Sequence, residues 1–312
     1  SATSLIQQTG TGLTILNGAV NTTNASGVQI TTGQITLNAP VTTTGAGVVS
    51  FTNTGLLTIN GNITSDGAIS QSGPGAITIT EPRLLTTTGD VVSIAGAVTL
   101  NGSGSLLTID TTLGGHAAGA NVSFLDSLQG STVGVNAEDL TINAGTAGAI
   151  SFVGSVSGLG DFTIVNSNTT TFGSSLQAKS VLITDTTDTV AFRGDTNLVT
   201  LTTTNQPYNV TFGRSGGPVV TDVITNAVTF LNTGFVTLGM NVGDSITFTG
   251  GVTHTAGTTS ATGTVTAIGG AVTFGTTSLN GTIQTQGQQV STQALTLTGS
   301  GEIVSTCGRV TG

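Results

Sequence analysis

The chain has 312 residues and a mass of 30.6 kDa; 6% of the residues are charged, 4% aromatic and 36% hydrophobic. One Lys and three Glu are too few for a helical protein, and hydrophobic residues that recur throughout the chain argue against disorder. No apolar run approaches the ~20 residues of a membrane helix. With 66 Thr and 47 Gly, the composition predicts an all-β protein.

The formal net charge of −9 comes from fourteen acidic and five basic residues. The basic residues are scattered, at Arg83, Lys179, Arg193, Arg214 and Arg309. Nucleic acids and anionic membrane surfaces are bound by clustered Lys or Arg, so we expect no nucleic-acid partner and no membrane insertion. The chain opens Ser1-Ala2-Thr3 without the basic and apolar segments of a signal peptide, which suits a mature secreted chain or a fragment.

An apolar–Thr–apolar strand motif, with some variants, repeats along the chain, and its first five copies start 22, 22, 20 and 21 residues apart. In chain order, the copies are residues 13–15, 35–37, 57–59, 77–79, 98–100, 122–124, 140–142, 162–164, 181–183, 199–201, 210–212, 228–230, 246–248, 272–274 and 295–297. Because side chains alternate across a strand, we expect Leu13 and Ile15 to face the core and Thr14 to face solvent.

Turn residues separate these strands, as in Asn17-Gly18 and Asn60-Gly61. Immunoglobulin-like sandwiches would repeat at ~100 residues and carry a core Trp, which this chain lacks. A period near 21 instead predicts one parallel β-solenoid domain over residues 1–312, with roughly 15 coils of about 20–22 residues. Two less regular stretches, residues 111–121 and 205–219, suggest loops extruded from a coil.

Most phenylalanines end a strand motif, and we expect them to form a stacked ladder inside the solenoid. They include Phe124, Phe152, Phe212, Phe230, Phe248 and Phe274.

Two segments, GQITLNAPVTTTGAGVVSF (33–51) and GLLTINGNITSDGAI (55–69), resemble the repeats of filamentous-haemagglutinin-like adhesins and autotransporter passengers. That resemblance implies a right-handed β-helix displayed on the outside of Gram-negative bacteria. The secretion domain of that family carries Asn-Pro-Asn motifs, and none occurs in this chain. The resemblance therefore implies shaft rather than secretion domain, or a distant relative with another export route.

The sequence offers little for catalysis or for binding a metal or cofactor. Most acidic residues stand singly, and the close sets, Glu138-Asp139 and Asp185 with Asp188, are expected to be solvated turn residues. A Ser-His-Asp triad is formally possible, with Asp244 and Ser245 near His254, but no Gly-x-Ser-x-Gly motif frames it. We therefore predict no catalytic residue, no metal ligand and no cofactor.

Two candidate binding features remain. Arg193-Gly194-Asp195 matches the integrin-type cell-attachment tripeptide, and filamentous-haemagglutinin-like adhesins and some autotransporters carry such a motif. Its alternative interpretation is a turn between strands at 190–192 and 198–201. Cys307, the only cysteine, is either a buried small residue or a thiol that pairs between subunits.

Three functions are consistent with these patterns. The first is a non-enzymatic, extracellular β-solenoid rod of a bacterial surface fibre or adhesin, associating with copies of itself end to end or laterally. The second is a module that binds a host receptor or glycan. The third is a polysaccharide-cleaving β-helix enzyme.

Overall fold

The fold class is as predicted. The computed structural model describes residues 1–80, 82–132, 134 and 137–306. It is an all-β protein with about 1% helix, in which parallel strands stack as a β-solenoid of about 14 turns with roughly 21 residues per coil. Backbone contacts divide the chain into two compact units, Ser1–Asn168 and Thr169–Gly312.

In the first unit, each coil adds one strand to each of three parallel ladders. The first ladder runs β1-β4-β7-β10-β13-β16-β19, the second β2-β5-β8-β11-β14-β17 and the third β3-β6-β9-β12-β15-β18; the long β20 joins the second and the third. The strands are β1 (Leu5–Gln7), β2 (Leu13–Leu16), β3 (Val20–Thr22), β4 (Val28–Thr32), β5 (Gln34–Leu37), β6 (Val41–Thr43), β7 (Val49–Asn53), β8 (Leu57–Ile59), β9 (Ile63–Ser65), β10 (Ile69–Ser72), β11 (Ile77–Thr80), β12 (Arg83–Thr87), β13 (Val92–Ile94), β14 (Val98–Asn101), β15 (Leu106–Asp110), β16 (Val122–Phe124), β17 (Leu128–Gly130), β18 (Glu138–Asn143), β19 (Ile150–Phe152) and β20 (Val156–Asn166).

In the second unit, two ladders carry most of the pairing. One runs β21-β23-β25-β28-β30-β32-β34, with β27 also paired to β30, and the other runs β22-β24-β26-β29-β31-β33-β35. The strands are β21 (Thr169–Phe172), β22 (Leu176–Ile183), β23 (Thr189–Phe192), β24 (Thr196–Thr203), β25 (Asn209–Phe212), β26 (Thr221–Ile224), β27 (Val228–Thr229), β28 (Phe235–Leu238), β29 (Ser245–Phe248), β30 (Val252–Ala261), β31 (Thr264–Ala267), β32 (Val272–Leu279), β33 (Thr282–Thr285), β34 (Val290–Leu297) and β35 (Glu302–Ser305).

Similar side chains stack on one another from coil to coil. In the first ladder, Val28 lies under Val49, which lies under Ile69, and Val92 and Val122 continue the column. All five side chains are buried. β-Branched residues pack well in such a column because the pleated surface presents the same shape at every coil.

The first coil reverses one sequence-based expectation. In β2, Leu13 and Ile15 pair with Gln34 and Thr36, whose side chains point outward, and they are 53% and 47% exposed. Leu16 instead stacks on the buried Leu37. The strand therefore presents the opposite face to the interior from the one that its apolar–Thr–apolar motif predicted, because a one-residue change of register exchanges the two faces.

Residues 111–121 lie between β15 and β16 and widen their coil. They include a short 3-10 helix, Leu113–Gly115, and the side chains from 113 to 118 are exposed.

Residues 205–219 hold β25 rather than a single loop. Val210 and Phe212 are fully buried and pair with Val190 and Phe192 on the preceding coil. The apolar–polar alternation of these residues therefore forms a strand although the flanking sequence is irregular. Tyr208, just before β25, is also buried. Its hydroxyl donates to the carbonyl of Ile183 at 3.1 Å and accepts from the amide of Thr204 at 2.9 Å.

The predicted phenylalanines are confirmed to be inside the solenoid, and some of them stack, whereas Phe230 and Phe248 meet edge-on. In the first unit, the rings of Phe124 and Phe152 stack with centroids 5.1 Å apart. In the second, Phe172, Phe192 and Phe212 stack at 5.2 and 4.9 Å. Every phenylalanine except Phe235, which is 57% exposed, is buried. These rings fill the interior and add aromatic contacts to the area that they remove from water.

A column of inward-facing hydroxyls, which the sequence did not predict, lies at one corner of the first unit. Thr22, Thr43, Ser65, Thr87 and Thr111 are all buried. Ser65 donates to the carbonyl of Gly47 and Thr111 to the carbonyl of Ala120, so these two hydroxyls satisfy corner carbonyls that the ladders leave unpaired, whereas Thr22 Oγ1 has no hydrogen-bond partner.

Candidate functional site

The tripeptide Arg193-Gly194-Asp195 forms the short connection between β23 and β24, as its turn interpretation predicted. A Cβ on Gly194 would lie 2.4 Å from the carbonyl carbon of Ser174, so the corner requires glycine. Oδ1 of Asp195 accepts a hydrogen bond of 2.8 Å from the amide of Thr221 on the following coil. Both end residues are exposed. One carboxylate oxygen therefore holds neighbouring coils together, and cell attachment stays a prediction.

Three aspartates occupy adjacent coils at this corner: Asp195, Asp222 and Asp244. Asp222 is fully buried; its Oδ1 accepts from the amide of Thr196 at 2.8 Å, and its Oδ2 has no hydrogen-bond partner. Burial, together with the charges of the other two aspartates, raises the pKa of Asp222 to about 7.

Asp244 is also fully buried and holds two turns. Its Oδ1 accepts from the amide of Val220 at 3.0 Å, and its Oδ2 accepts from the amides of Met240 and Asn241 at 2.8 Å each. The hydrogen bonds join backbone groups on adjacent coils.

Glu138 corrects the expectation of solvated turn acids. It lies fully buried in β18, where Oε1 accepts from Ser131 Oγ at 2.7 Å and Oε2 from the amide of Thr132 at 3.0 Å. Burial alone would raise the pKa of Glu138, but the hydrogen bonds from Ser131, Thr132 and the amide of Gly102 outweigh it and lower the pKa below its usual value. The carboxylate therefore holds Ser131 and Thr132 against β18.

The two histidines lie in different environments, one buried and one exposed. His254 is buried, with Nδ1 2.9 Å from Thr259 Oγ1 and Nε2 3.1 Å from the carbonyl oxygen of Asn232, and desolvation lowers its pKa. Neither ring nitrogen contacts Asp244 or Ser245, so the formally possible triad is not assembled. His116 is exposed in the loop of residues 111–121.

A cleft of about 310 Å³ in the second unit brings together two basic residues that the sequence places apart. Arg193 follows β23, and Arg214 follows β25 on the next coil. The remaining lining comes from outward positions and turns of three consecutive coils: Thr189, Ala191, Thr211, Gly213, Ser215 and Met240. The two arginines are 21 residues apart, close to one coil length, and this spacing was the signal that could have paired them.

Asn241 holds the turn that carries Arg214. Its Nδ2 donates to the carbonyl of Arg214 at 3.0 Å, and its Oδ1 accepts from the amide of Gly216 at 3.3 Å. Because Asp244 in turn accepts from the Asn241 amide, the cleft wall is fixed to the buried aspartate corner.

Cys307, the candidate intersubunit thiol, lies outside the described residues. Within the described ranges, no group of three or more His, Cys, Asp or Glu is placed to hold a metal ion. No helix in the same part of the chain is long and apolar enough to cross a membrane.

Comparison with known proteins gives no match: no protein-family model, curated protein or solved structure is significantly similar to this chain.

Proposed function

We propose that this protein is a non-enzymatic structural component of a bacterial surface fibre or adhesin. The observation that carries the proposal is the continuity of the parallel ladders within each unit, in which almost every coil hydrogen-bonds to the coils on both sides. Such an arrangement gives a stiff, protease-resistant framework from short strands and small side chains. The surface location is supported by the resemblance of residues 33–51 and 55–69 to adhesin repeats.

The use of the ionisable side chains supports the non-enzymatic part of the proposal. Glu138, Asp222, Asp244 and His254, the side chains best suited to acid–base work, are buried and hydrogen-bond to backbone groups or neighbouring hydroxyls. Side chains that make these hydrogen bonds stabilise the coils. Incubation with polysaccharides followed by a reducing-end assay tests this, and cleavage would refute it.

Self-association is the mechanical part of the proposal. Strands β1 and β2 each pair with one neighbour among the described residues, and so do β34 and β35; β3 is partly covered by a bridge between Thr22 and Ala2. A strand with one neighbour presents unpaired backbone groups to any further strand. We expect copies of this chain to associate through these edges.

Electron microscopy of the purified chain, at increasing concentration, tests self-association. We expect filaments that Ile15→Lys shortens or abolishes, because a lysine on an edge strand opposes strand addition. Thr78→Lys is the matched control, since Thr78 lies in the same outward column as Ile15 but pairs on both sides. Particles that stay single at all concentrations, or an equal effect of both lysines, would contradict edge-to-edge association.

The surface location has a separate test. Immunogold labelling of intact source cells should decorate their exterior without permeabilisation. Labelling that requires permeabilised cells would contradict the proposal.

A further inference from the structure

The cleft that Arg193 and Arg214 line is unusual for this protein. Four basic residues lie in the described part of the chain, at Arg83, Lys179, Arg193 and Arg214, and two of them share this cleft. The formal net charge of the chain is −9. Two positive charges in one concavity of an acidic protein form a local site that favours an anion.

Both guanidinium groups are available to a ligand. Arg193 and Arg214 are exposed, and no hydrogen bond or ion pair of either guanidinium is found within the described ranges. The carboxylate nearest in sequence, Asp195, accepts the amide of Thr221. A guanidinium presents a fork of donors that matches a carboxylate, so these side chains retain their capacity for a charged ligand.

We propose that this cleft binds a carboxylated saccharide, one uronic-acid-like residue at a time. The arginines would bind the carboxylate, and the hydroxyls of Thr189, Thr211 and Ser215 would exchange hydrogen bonds with sugar hydroxyls. Met240 offers an apolar surface to the face of the sugar ring. The volume of about 310 Å³ lies at the lower end of the range for small-ligand sites, which suits a single sugar residue.

The overall charge decides between kinds of anionic saccharide. A densely sulfated polymer would be repelled by the net negative charge beyond the cleft. A uronic-acid residue carries a single negative charge, so the residues outside the cleft meet less repulsion than multiply sulfated ones would, and their other ring substituents are neutral hydroxyls. The site is also preorganised, because Asn241 fixes the turn that carries Arg214.

The test is a calorimetric titration of the whole chain with a galacturonic-acid trisaccharide at low ionic strength. We expect binding that weakens with added salt, and a loss of about tenfold in affinity for either Arg193→Gln or Arg214→Gln. Lys179→Gln removes the same charge from an exposed position on β22, and we expect its affinity to stay within about twofold of the wild type. Circular dichroism should show all variants folded.

Titrations with two comparison saccharides identify the ligand class. A neutral galactose trisaccharide should bind at least about tenfold more weakly, because it lacks the carboxylate. A sulfated saccharide of the same length should also bind more weakly. The proposal fails if the wild type does not bind the galacturonic-acid trisaccharide, if either comparison ligand binds as well, or if Lys179→Gln weakens binding as much as the arginine variants. These outcomes are independent of filament formation, so either proposal can fail alone.

Discussion

Nδ2 of Asn38 donates a hydrogen bond of 2.8 Å to Oδ1 of Asn17, one coil away, and Nδ2 of Asn60 donates one of 2.9 Å to Oδ1 of Asn38. The three residues sit at the same corner of successive coils and form an asparagine ladder. Asn17 lies under Asn38 in the same register in which Leu16 lies under Leu37, and this register turns Leu13 and Ile15 outward. The corner hydrogen bonds therefore accompany a register that differs from the one predicted by the apolar pattern of the strand.

The ladder predicts unequal effects of two substitutions. Asn38→Ala removes two side-chain hydrogen bonds and should lower the free energy of unfolding by about 1 kcal/mol, whereas Asn17→Ala removes one and should cost roughly half as much. Urea denaturation measures both. Equal effects would contradict a stabilisation in proportion to the two hydrogen bonds of Asn38 and the one of Asn17.

The orientation of β2 predicts tolerance at an apolar position. Leu13→Ser should change stability by less than about 0.5 kcal/mol because Leu13 is 53% exposed. Leu37→Ser, at a fully buried position on the neighbouring strand, should cost roughly 3 kcal/mol or more. A large loss of stability from Leu13→Ser would contradict the outward orientation of Leu13 and support the inward one that the sequence predicted.

The stacked phenylalanine rings predict that the removal of one ring leaves a cavity that destabilises the protein. Phe192 stacks between Phe172 and Phe212, so Phe192→Ala should lower the free energy of unfolding by about 3–5 kcal/mol. Phe235→Ala, at the exposed phenylalanine, is the control and should cost much less. Thermal and urea unfolding of the two variants provide the comparison; similar losses would contradict the ladder's role.

Asp222 predicts a pH dependence of stability. Its pKa rises from 3.8 in the unfolded chain to about 7 in the folded one, so between these values the folded state binds more protons. Stability from this group is therefore fully present below pH ~4, falls as the pH rises and is lost above pH ~7, a difference of roughly 4 kcal/mol. Asp195 and Asp244 carry the charges that add to this shift.

Asp222→Asn isolates that contribution. The pKa of His254 is lowered, so its effect on the pH dependence of stability is opposite: the stabilisation is lost as the pH falls below about 6.5. The pH dependence of the wild type alone therefore does not isolate the contribution of Asp222. The stability of the wild type minus that of Asp222→Asn should fall from pH 4.5 to 7 and then level off. Asp126→Asn, at an exposed carboxylate, is the control for the change of charge. A flat difference for Asp222→Asn would contradict the buried-carboxyl interpretation.

The local sequence pattern was enough to predict the strands, the coil length and the buried phenylalanines, because the alternation of apolar and polar residues and the turn residues are encoded within a few positions. The inward hydroxyls of Thr43 and Ser65 were missed because threonine fits either face of a strand. The burial of Asp222 was missed because its partner, the amide of Thr196, lies 26 residues away. Arg193 and Arg214 looked scattered until the coil length placed them on one face.

Tyr208 gives the protein a single optical probe. The chain has no tryptophan and no other tyrosine, so its near-ultraviolet absorbance is weak and protein concentration is better measured through the peptide bond. Its intrinsic fluorescence comes from one phenol that is sealed inside the second unit and bonded to Ile183 and Thr204. A change in that emission would therefore report the opening of those particular coils without any label, because the first unit contains no tyrosine or tryptophan that would contribute to it.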